Sequence, residues 1–306
     1  MAQMKWDDLV LGDVETRNIM TRSSLPVGGY SVNPYVGCTH ACKYCYASFM
    51  KRFTGHTEAW GAFLDVKHWP EIKDPQKYAG QRVVIGSVTD GYLPQEATFC
   101  NTRRLLEQLR GSGAEILICT KSDLVLRDID LLRQLGRVTV SWSINTLDES
   151  FRADMDRAVS IERRLRAMKQ VYDAGIRTVC FVAPVFPGLT DFEAIFQRVK
   201  DQCDLFWLEN LNLRGGFRQT ILDYIAEKHP DLVPLYDAIY KKRDRSYFRA
   251  LEKRAAAMAQ ANGCPFVDNE MPYGRVPQGH PVVVDYFYHE DVRGTENTGR
   301  RNTKSN

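Results

Sequence analysis

Three cysteines stand close together in the N-terminal part of the 306-residue chain. Cys38, Cys42 and Cys45 lie in the stretch NPYVGCTHACKYCYA. Thiolates at this spacing can converge on one ion or cluster, because a segment this short folds back on itself. Pro34 and Gly37 favour a loop over a core strand. Three thiolates suit a [4Fe-4S] cluster in which one iron keeps an open coordination position.

Two other assignments of these cysteines remain open at this point. Structural zinc requires four ligands, and no second cysteine pair follows nearby, so His40 would have to complete the set. Three unrelated buried cysteines would not need a loop around them. The remaining cysteines, among them Cys100, Cys180, Cys203 and Cys264, do not repeat the cluster spacing. The sequence therefore predicts a single cluster.

The overall composition describes an ordinary globular protein. Hydrophobic residues make up 44% and charged residues 26% of the chain. The formal net charge of +3 is too close to zero to argue for nucleic acid as a partner. No apolar run approaches the ~20 residues that cross a bilayer. The start, MAQMKWDDLV, does not resemble a signal peptide. We expect no membrane contact and a cytoplasmic location, whose reducing conditions an open cluster requires.

Strand and helix patterns alternate along the middle of the chain. Alternation of this kind predicts parallel strands with right-handed crossovers. The apolar strands are expected at 30–32, 82–88, 115–119, 138–144, 178–182 and 205–208. The helices are expected at 96–110, 124–135, 162–174 and 192–201. Six strand–helix steps predict an α/β fold, a partial (β/α)6 TIM-like barrel, with a doubly wound sheet as the alternative.

The chain divides by pattern into four parts. Residues 1–27 show no clear periodicity and are predicted to be an N-terminal leader, and 28–215 form the barrel core. Within the core, 46–53 is predicted as a short helix and 54–80 as a loop with helical pieces. Residues 216–290, with three helical patterns and short strand patterns at 265–267 and 282–284, are predicted to be a capping extension. Residues 291–306 have almost no apolar content and are predicted to be disordered.

Polar residues follow or line the ends of the predicted strands. In parallel barrels the carboxyl ends of the strands face the active site. Ser141, Ser143 and Asn145 alternate along one strand and should share its inner face, if Val140 and Trp142 pack under the helices. The other candidates at strand ends are Ser87, Thr89, Asp90 and Lys121.

The aromatic residue before the third cysteine, Tyr44, gives a pattern that resembles the signature of the radical SAM superfamily. In that superfamily the open iron chelates the amino and carboxylate groups of S-adenosylmethionine (SAM). The reduced cluster then cleaves the sulfonium to release a 5′-deoxyadenosyl radical. The wider pattern NPYxGCxHxCxYCYA resembles the spore photoproduct lyase-like branch.

A narrower resemblance covers nearly the whole chain. From WDDLVLGDVETRNIM to HPVVVDYFYHEDVRGTENTG it is similar to the radical SAM mobile pair protein B family. The resemblance implies a second radical SAM protein, mobile pair protein A, as a partner. It also implies an electron donor such as flavodoxin or ferredoxin.

The resemblance assigns a set of SAM contacts. The ammonium of SAM needs a carboxylate or hydroxyl, and its carboxylate needs a cation. Asp90 with Thr89 can serve the first, and Lys121 with Ser143 the second. Arg164 matches an arginine that faces the same carboxylate, with its neighbour Arg163 an equal candidate by position. The full predicted cofactor-binding set is Tyr44, Ser87, Thr89, Asp90, Lys121, Ser141, Ser143, Asn145 and Arg164, with Pro184 and Asn210 beside the adenosine.

One position departs from the lyase pattern. The thymine-dimer-repairing lyases place a hydrogen-donating cysteine where this chain has Ser87, whose O–H bond is much stronger than S–H. The resemblance therefore does not imply repair of that lesion. Cys119 is the nearest alternative thiol, although a buried cysteine also serves packing. Tyr286 and Tyr288, near His289, are candidates for a tyrosyl relay or for a buried aromatic edge.

The predicted function is that of a radical SAM enzyme that abstracts hydrogen from a substrate the sequence does not identify. The first alternative is a nucleic-acid repair or modification enzyme of the spore photoproduct lyase type. Basic stretches at 241–243 and 300–301 would support it, although such runs are usually solvated. The second alternative is a non-catalytic cluster-binding partner of another radical SAM protein.

Overall fold

The computed structural model describes residues 8–23, 29–267 and 281–288. The strands are β1 (Val10–Glu15), β2 (Thr21–Arg22), β3 (Tyr30–Val32), β4 (Tyr35–Val36), β5 (Phe63–His68), β6 (Arg82–Ile85), β7 (Glu115–Thr120), β8 (Val138–Ser143), β9 (Arg177–Val185), β10 (Leu205–Asn210), β11 (Phe266–Val267) and β12 (Val283–Phe287). The α-helices are α1 (Glu96–Phe99), α2 (Asn101–Gln108), α3 (Ile129–Leu135), α4 (Glu149–Met155), α5 (Ile161–Asp173), α6 (Phe192–Val199), α7 (Phe217–Lys228), α8 (Val233–Tyr240) and α9 (Ser246–Ala261). Short 3-10 helices occupy Tyr46–Phe53, Pro75–Tyr78, Leu124–Asp128 and Pro230–Leu232.

Nine strands form one main sheet in the order β11-β12-β10-β9-β8-β7-β6-β3-β2. All neighbours are parallel except β2, which runs antiparallel to β3. The run from β3 through β6 to β10 follows chain order without the reversal that defines a doubly wound sheet. Within the described ranges the edge strands β2 and β11 do not pair with each other. The α/β partial barrel is therefore confirmed, and the sheet is open.

The two faces of the main sheet bury different residues. Val140, Trp142 and Ile144 of the β8 segment join the main core, which also contains Leu165 and Met168 of α5. The opposite face, here called the inner face, carries a smaller apolar cluster supplied by strands. Its members are Leu117, Val179, Phe181, Leu205, Trp207, Val267, Val283 and Phe287. The alternation predicted for β8 is therefore present, and Ser141 and Ser143 belong to the inner face.

A second sheet, with the order β1-β5-β4, corrects two predictions. β1 lies in the segment predicted as a leader without periodicity, and β5 lies in the segment predicted as a loop. β1 runs parallel to β5, and β4 runs antiparallel to it. β1 was not predicted because most of its residues are exposed. β5 was not predicted because the strand buries a charged residue, Asp65, which pairs with His56 at 2.9 Å.

Several helix bounds also differ from prediction. The expected helix 96–110 is broken at Cys100, whose φ of 53° separates α1 from α2. The expected helix 124–135 begins as a 3-10 helix and continues as α3. The sequence analysis missed α4, although Asp148 caps it by accepting hydrogen bonds from the backbone N–H of Ser150 and Phe151.

The C-terminal part of the described chain extends the sheet as well as covering it. β12 pairs with β10 and β11 pairs with β12, both in parallel. α9 packs against these two added strands. The boundaries of the leader, core, cap and tail stay predictions. The predicted tail and His289 lie outside the described residues. In the part of the chain that the structure describes, no helix is long and apolar enough to cross a membrane.

Candidate functional site

The loop that carries the three cysteines, residues 37–45, follows β4 directly. Its backbone is hydrogen-bonded to the end of α4 and to the segment after it: the N–H of Lys43 donates to the carbonyl of Met155 at 2.9 Å, and the N–H of Arg157 donates to the carbonyl of His40 at 2.8 Å. The small sheet holds the loop at its start, through β4, and the segment after α4 holds its middle. This anchoring fixes where the cysteines stand relative to the main sheet.

The three thiols lie within electrostatic reach of one another. Burial is the main cause that raises the pKa of Cys38, to about 12, and Cys45 and Asp90 raise it further. Burial likewise raises the pKa of Cys42, with Cys45 and Cys38 among the other causes, and it raises the pKa of Cys45. Three thiolates here would place three negative charges close together in a partly buried volume. A cationic iron–sulfur core would offset that charge.

The donor chemistry therefore fits a [4Fe-4S] cluster held by Cys38, Cys42 and Cys45. No group of three or more His, Cys, Asp or Glu side chains among residues 8–23, 29–267 and 281–288 has the arrangement of a single-ion site. The fit consequently rests on the type of the donors and on their mutual proximity. His40, the alternative zinc ligand, is engaged elsewhere, because its Nε2 lies 3.0 Å from a carboxylate oxygen of Asp90.

Asp90 joins the cysteine loop to the ends of two strands. Its carboxylate accepts the backbone N–H of Tyr92 at 2.8 Å and of Lys121 at 2.7 Å. It also accepts the hydroxyl of Thr120 at 2.9 Å and faces His40. Burial opposes ionisation, but His40 and the backbone donors hold the pKa of Asp90 below its usual range. These donors occupy both carboxylate oxygens of Asp90.

Lys121 points its ammonium into the same region. Burial alone would lower its pKa, but Cys42 and Asp156 outweigh burial and raise it. The Nζ atom lies 5.7 Å from the ring centroid of Tyr44, a cation–π contact. No hydrogen bond or ion pair of this ammonium is found in the described part of the chain. A half-buried cation in this condition can receive an anionic group.

Arg164 and Tyr44 meet at one carboxylate. The Arg164 guanidinium, fully buried, donates to Asp156 at 2.7 Å and to the carbonyl of Ser143 at 3.1 Å. The hydroxyl of Tyr44 donates to the other oxygen of Asp156 at 3.4 Å. Arg163, the equal candidate by sequence, instead pairs with Asp123 on an exposed surface. The structure therefore brings Arg164, and not Arg163, to the predicted site.

Two buried polar atoms at the end of β8 have no hydrogen-bond partner in the described structure. They are the hydroxyl oxygen of Ser141 and the side-chain nitrogen of Asn145. Unsatisfied buried polar groups are costly, so they are rare in the absence of a ligand or ordered water. Both residues were predicted as cofactor contacts. Their condition is the one expected of groups that a bound molecule completes.

Ser87 sits in a hydroxyl network at the end of β6. Its Oγ lies 2.5 Å from that of Ser31 and accepts the side-chain N–H of Asn33 at 3.2 Å. Asn33 in turn accepts the backbone N–H of Thr89 at 3.2 Å. The hydroxyl of Tyr46 donates to the carbonyl of Ser87. Tyr46 directly follows the third cysteine, so it ties the cysteine loop to this strand end.

The two weak catalytic candidates lie on opposite faces of the main sheet. Cys119 stands beside Ser141 in the β7–β8 register and alternates with Ile118, which belongs to the main core. It therefore belongs to the inner face, where burial raises its pKa to about 12 and keeps the S–H bond intact. Tyr286 belongs to the main core, so the structure does not bring it to the site.

The sequence analysis missed two members of the site, Asp156 and Tyr46. Asp156 follows α4, a helix that was not predicted, and joins Tyr44 to Arg164. Tyr46 stood inside the recognised motif, directly after Cys45. Its position was a usable signal, whereas nothing in the sequence around Asp156 marked it.

A comparison with protein families identifies the superfamily in which these features occur together. The model of the radical SAM superfamily matches residues 32–199, which run from the end of β3 to the end of α6 and include the cysteine loop. The chain belongs to the radical SAM superfamily. Its membership implies an enzyme and is consistent with the cluster and SAM that the residues suit.

Relatives of this radical SAM protein include a protein of Methanocaldococcus jannaschii, "Uncharacterized protein MJ0683". It is 32% identical over 71% of this chain and 83% of its own length. Another is the "Radical SAM Nalpha-GlyT isomerase" of Pseudomonas phage M6, 24% identical over 57% of this chain and 36% of its own length. The similarity to the first relative extends over most of this chain.

Similar solved structures include spore photoproduct lyases. A cysteine-to-serine mutant has a TM-score of 0.54 and 20% identity, with 72% of this chain and 66% of the lyase chain covered. A double mutant described as having bound AdoMet and dinucleoside spore photoproduct has a TM-score of 0.50 and 18% identity, with the same coverage. At these identities the likeness shows a shared fold.

Proposed function

We propose that this protein is an enzyme that cleaves SAM reductively and abstracts hydrogen from its substrate. The observation that carries the proposal is the meeting of three mutually close thiols with the ammonium of the half-buried Lys121, which has no acceptor among the described residues. When bound, the cluster and SAM supply electron transfer and an adenosyl radical. The rest of the argument concerns what the residues of this chain contribute.

In this proposal Cys38, Cys42 and Cys45 hold the cluster. Lys121 binds the carboxylate of the methionine moiety, because its ammonium is free to do so and stands close to Cys42. Arg164, which donates to the carbonyl of Ser143 at the end of β8, adds a second positive charge on that side of the methionine carboxylate. The unpartnered groups of the β8 end, together with Thr89, bind the remaining polar atoms of SAM. Asp90 positions the cysteine loop through His40 and leaves the direct ammonium contact to these neighbours.

We also propose that Cys119 is the thiol available to return a hydrogen atom. It stands on the inner face, and it has Asp90, Lys121 and Glu209 as electrostatic neighbours. Its raised pKa keeps it protonated at neutral pH, and only a protonated thiol can donate a hydrogen atom. Ser87, at the position where the repairing lyases have a cysteine, holds its hydroxyl in the network with Ser31 and is a much poorer donor.

We propose an electron donor, a protein partner and a cellular location on the same chemical grounds. The proposed reduction needs an external one-electron donor such as flavodoxin or ferredoxin, and the resemblance adds mobile pair protein A. The eight cysteines are all free, which accords with a reducing compartment such as the cytoplasm. Reduction by purified flavodoxin in place of dithionite tests the donor assignment.

Cluster content tests the assignment of the ligands. The protein is reconstituted anaerobically with iron and sulfide, and the cluster is followed by iron analysis and by electron paramagnetic resonance (EPR) after reduction. We expect a [4Fe-4S] cluster in the wild type and its loss in Cys42→Ala. Cys264→Ser is the matched control and should keep the cluster, because Cys264 is a half-buried cysteine beyond α9. A cluster that survives Cys42→Ala would overturn the assignment.

A further inference from the structure

Trp60 packs beneath the cysteine loop. Its ring lies with Cys38, Tyr35 and Leu64 in one apolar cluster. It meets the ring of Phe63 edge-to-face, with the centroids 5.8 Å apart. The side chain therefore stands between the small sheet and the proposed cluster ligands.

The backbone beside Trp60 fixes this placement. Gly61 has a φ of 95°, and a Cβ atom there would lie only 2.4 Å from the Cβ of Ala41 and 3.4 Å from the carbonyl oxygen of Cys38. The turn after Trp60 therefore presses directly against the cysteine loop. A tryptophan on such a turn cannot move away without moving the loop as well.

The indole N–H of Trp60 has no ordinary acceptor. Its Nε1 atom is buried and finds no partner at conventional hydrogen-bond distance in the described residues. It does lie close enough to the sulfur of Cys45 to favour the thiolate of that residue by hydrogen bonding. Trp69 differs, because its Nε1 donates to the side-chain oxygen of Gln108 at 3.0 Å. A buried N–H beside a sulfur, without an oxygen acceptor among the described residues, can donate to that sulfur.

We propose that the indole N–H of Trp60 donates to the cluster-bound sulfur of Cys45 and raises the reduction potential of the cluster. The inference rests on the proposed function, which places the cluster on Cys38, Cys42 and Cys45. It adds a residue that tunes the cluster without being one of its ligands.

The direction of the effect follows from charge. Reduction adds one electron to the cluster and increases the electron density on its thiolate sulfurs. A hydrogen bond to a sulfur then becomes stronger, so it stabilises the reduced state more than the oxidised state. Hydrogen bonds to the sulfurs are among the factors that set the potentials of iron–sulfur clusters. Loss of this donor should therefore make the cluster harder to reduce.

Trp60→Phe tests the inference, because it removes the N–H and keeps most of the ring. A hydrogen bond to a charged acceptor changes an equilibrium by about tenfold. For a one-electron couple, tenfold corresponds to about 59 mV. We expect EPR-monitored titration of the reconstituted protein to give a midpoint potential more negative by about this amount. Trp69→Phe, the matched control, should keep the wild-type potential. Equal potentials in the two variants would overturn the inference.

A measurement on the wild-type sequence covers the case in which Trp60→Phe fails to assemble a cluster. The protein is made with ¹⁵N in the indole rings, and pulsed EPR of the reduced cluster measures the coupling to nitrogen. A resolved coupling to an indole nitrogen, retained in Trp69→Phe, supports the inference, and its absence overturns it. If the wild type takes up no cluster, the proposed function fails together with the inference. A cluster without indole coupling removes the inference alone.

Discussion

The environment of Lys121 is the strongest indication of a bound ligand. Lys121 is half-buried, and its ammonium lies near Cys42 and Asp156 and has no acceptor in the described part of the chain. A hydrogen-bonded pair with the SAM carboxylate would replace the water that the ammonium lost on burial. The sequence predicted this residue from its place after a strand. It could not show that the neighbouring groups leave the ammonium without a partner.

Replacing Lys121 by methionine should weaken SAM binding and leave the cluster in place. A charged hydrogen bond contributes about 1.5–3 kcal/mol, so we expect the dissociation constant for SAM to rise about tenfold or more. Equilibrium dialysis with the reconstituted protein measures it, and iron analysis checks the cluster. Lys169→Met, which removes an exposed ammonium paired with Asp173 at 2.6 Å, is the control. An unchanged constant in Lys121→Met would contradict the assignment.

Asp90 is a predicted SAM contact for which we propose a positioning role instead. The sequence marked it as a SAM contact, but its carboxylate is occupied by His40, Thr120 and two backbone N–H groups. The pattern at a strand end indicates that a polar residue belongs to the site. It does not reveal whether that residue touches the ligand or holds the residues that do. That distinction depends on donors that come from distant parts of the chain.

Asp90→Asn should therefore destabilise the protein even without a cofactor. An amide offers a donor where the backbone N–H of Lys121 already donates, and it leaves His40 without its charged partner. We expect the free energy of unfolding of the metal-free protein to fall by about 3 kcal/mol. Asp13→Asn breaks a similar but exposed pair with His68 and should cost less than about 0.5 kcal/mol. Denaturant unfolding measures both, and equal losses would count against the positioning role.

At the scale of elements, the sequence analysis did not predict the small sheet. β1 and β5 lie far apart in the sequence, and neither alternates cleanly between apolar and polar residues. Their pairing buries Asp65 against His56, so the charged residue that looks like a loop signal is satisfied by a contact. Single-sequence patterns carry no information about such pairing. The sheet matters because β4 leads directly into the cysteine loop.

Gly61→Ala should disturb the cysteine loop through this small sheet. The added Cβ would meet the Cβ of Ala41 at 2.4 Å, in addition to the strain of a positive φ. We expect the free energy of unfolding to fall by about 2–4 kcal/mol and the iron bound per chain to fall with it.

The control for Gly61→Ala separates contact from backbone strain. Gly80 also has a positive φ, of 68°, but has no atom within 4 Å of an added Cβ. Gly80→Ala should lower the free energy of unfolding by only about 1–2 kcal/mol and leave the iron content unchanged. If the two alanine variants bound iron equally well, the turn after Trp60 would not control the cysteine loop.

At the scale of the whole molecule, the fold was predictable for a physical reason. The strands β6 to β10 are apolar because helices cover one face and an apolar cluster fills part of the other. Their alternation with helices then permits few topologies. The C-terminal strands β11 and β12 were expected as strands, but their parallel pairing onto β10 depends on distant contacts that the pattern does not encode.

The formation of 5′-deoxyadenosine tests the central claim most directly. The reconstituted protein is reduced with dithionite in the presence of SAM under anaerobic conditions, and the product is quantified by chromatography. We predict that the wild type and Cys264→Ser form 5′-deoxyadenosine and that Cys42→Ala forms none. A wild-type protein whose reduced [4Fe-4S] cluster is verified by EPR, but which leaves SAM intact, would contradict the claim that this chain cleaves SAM by itself.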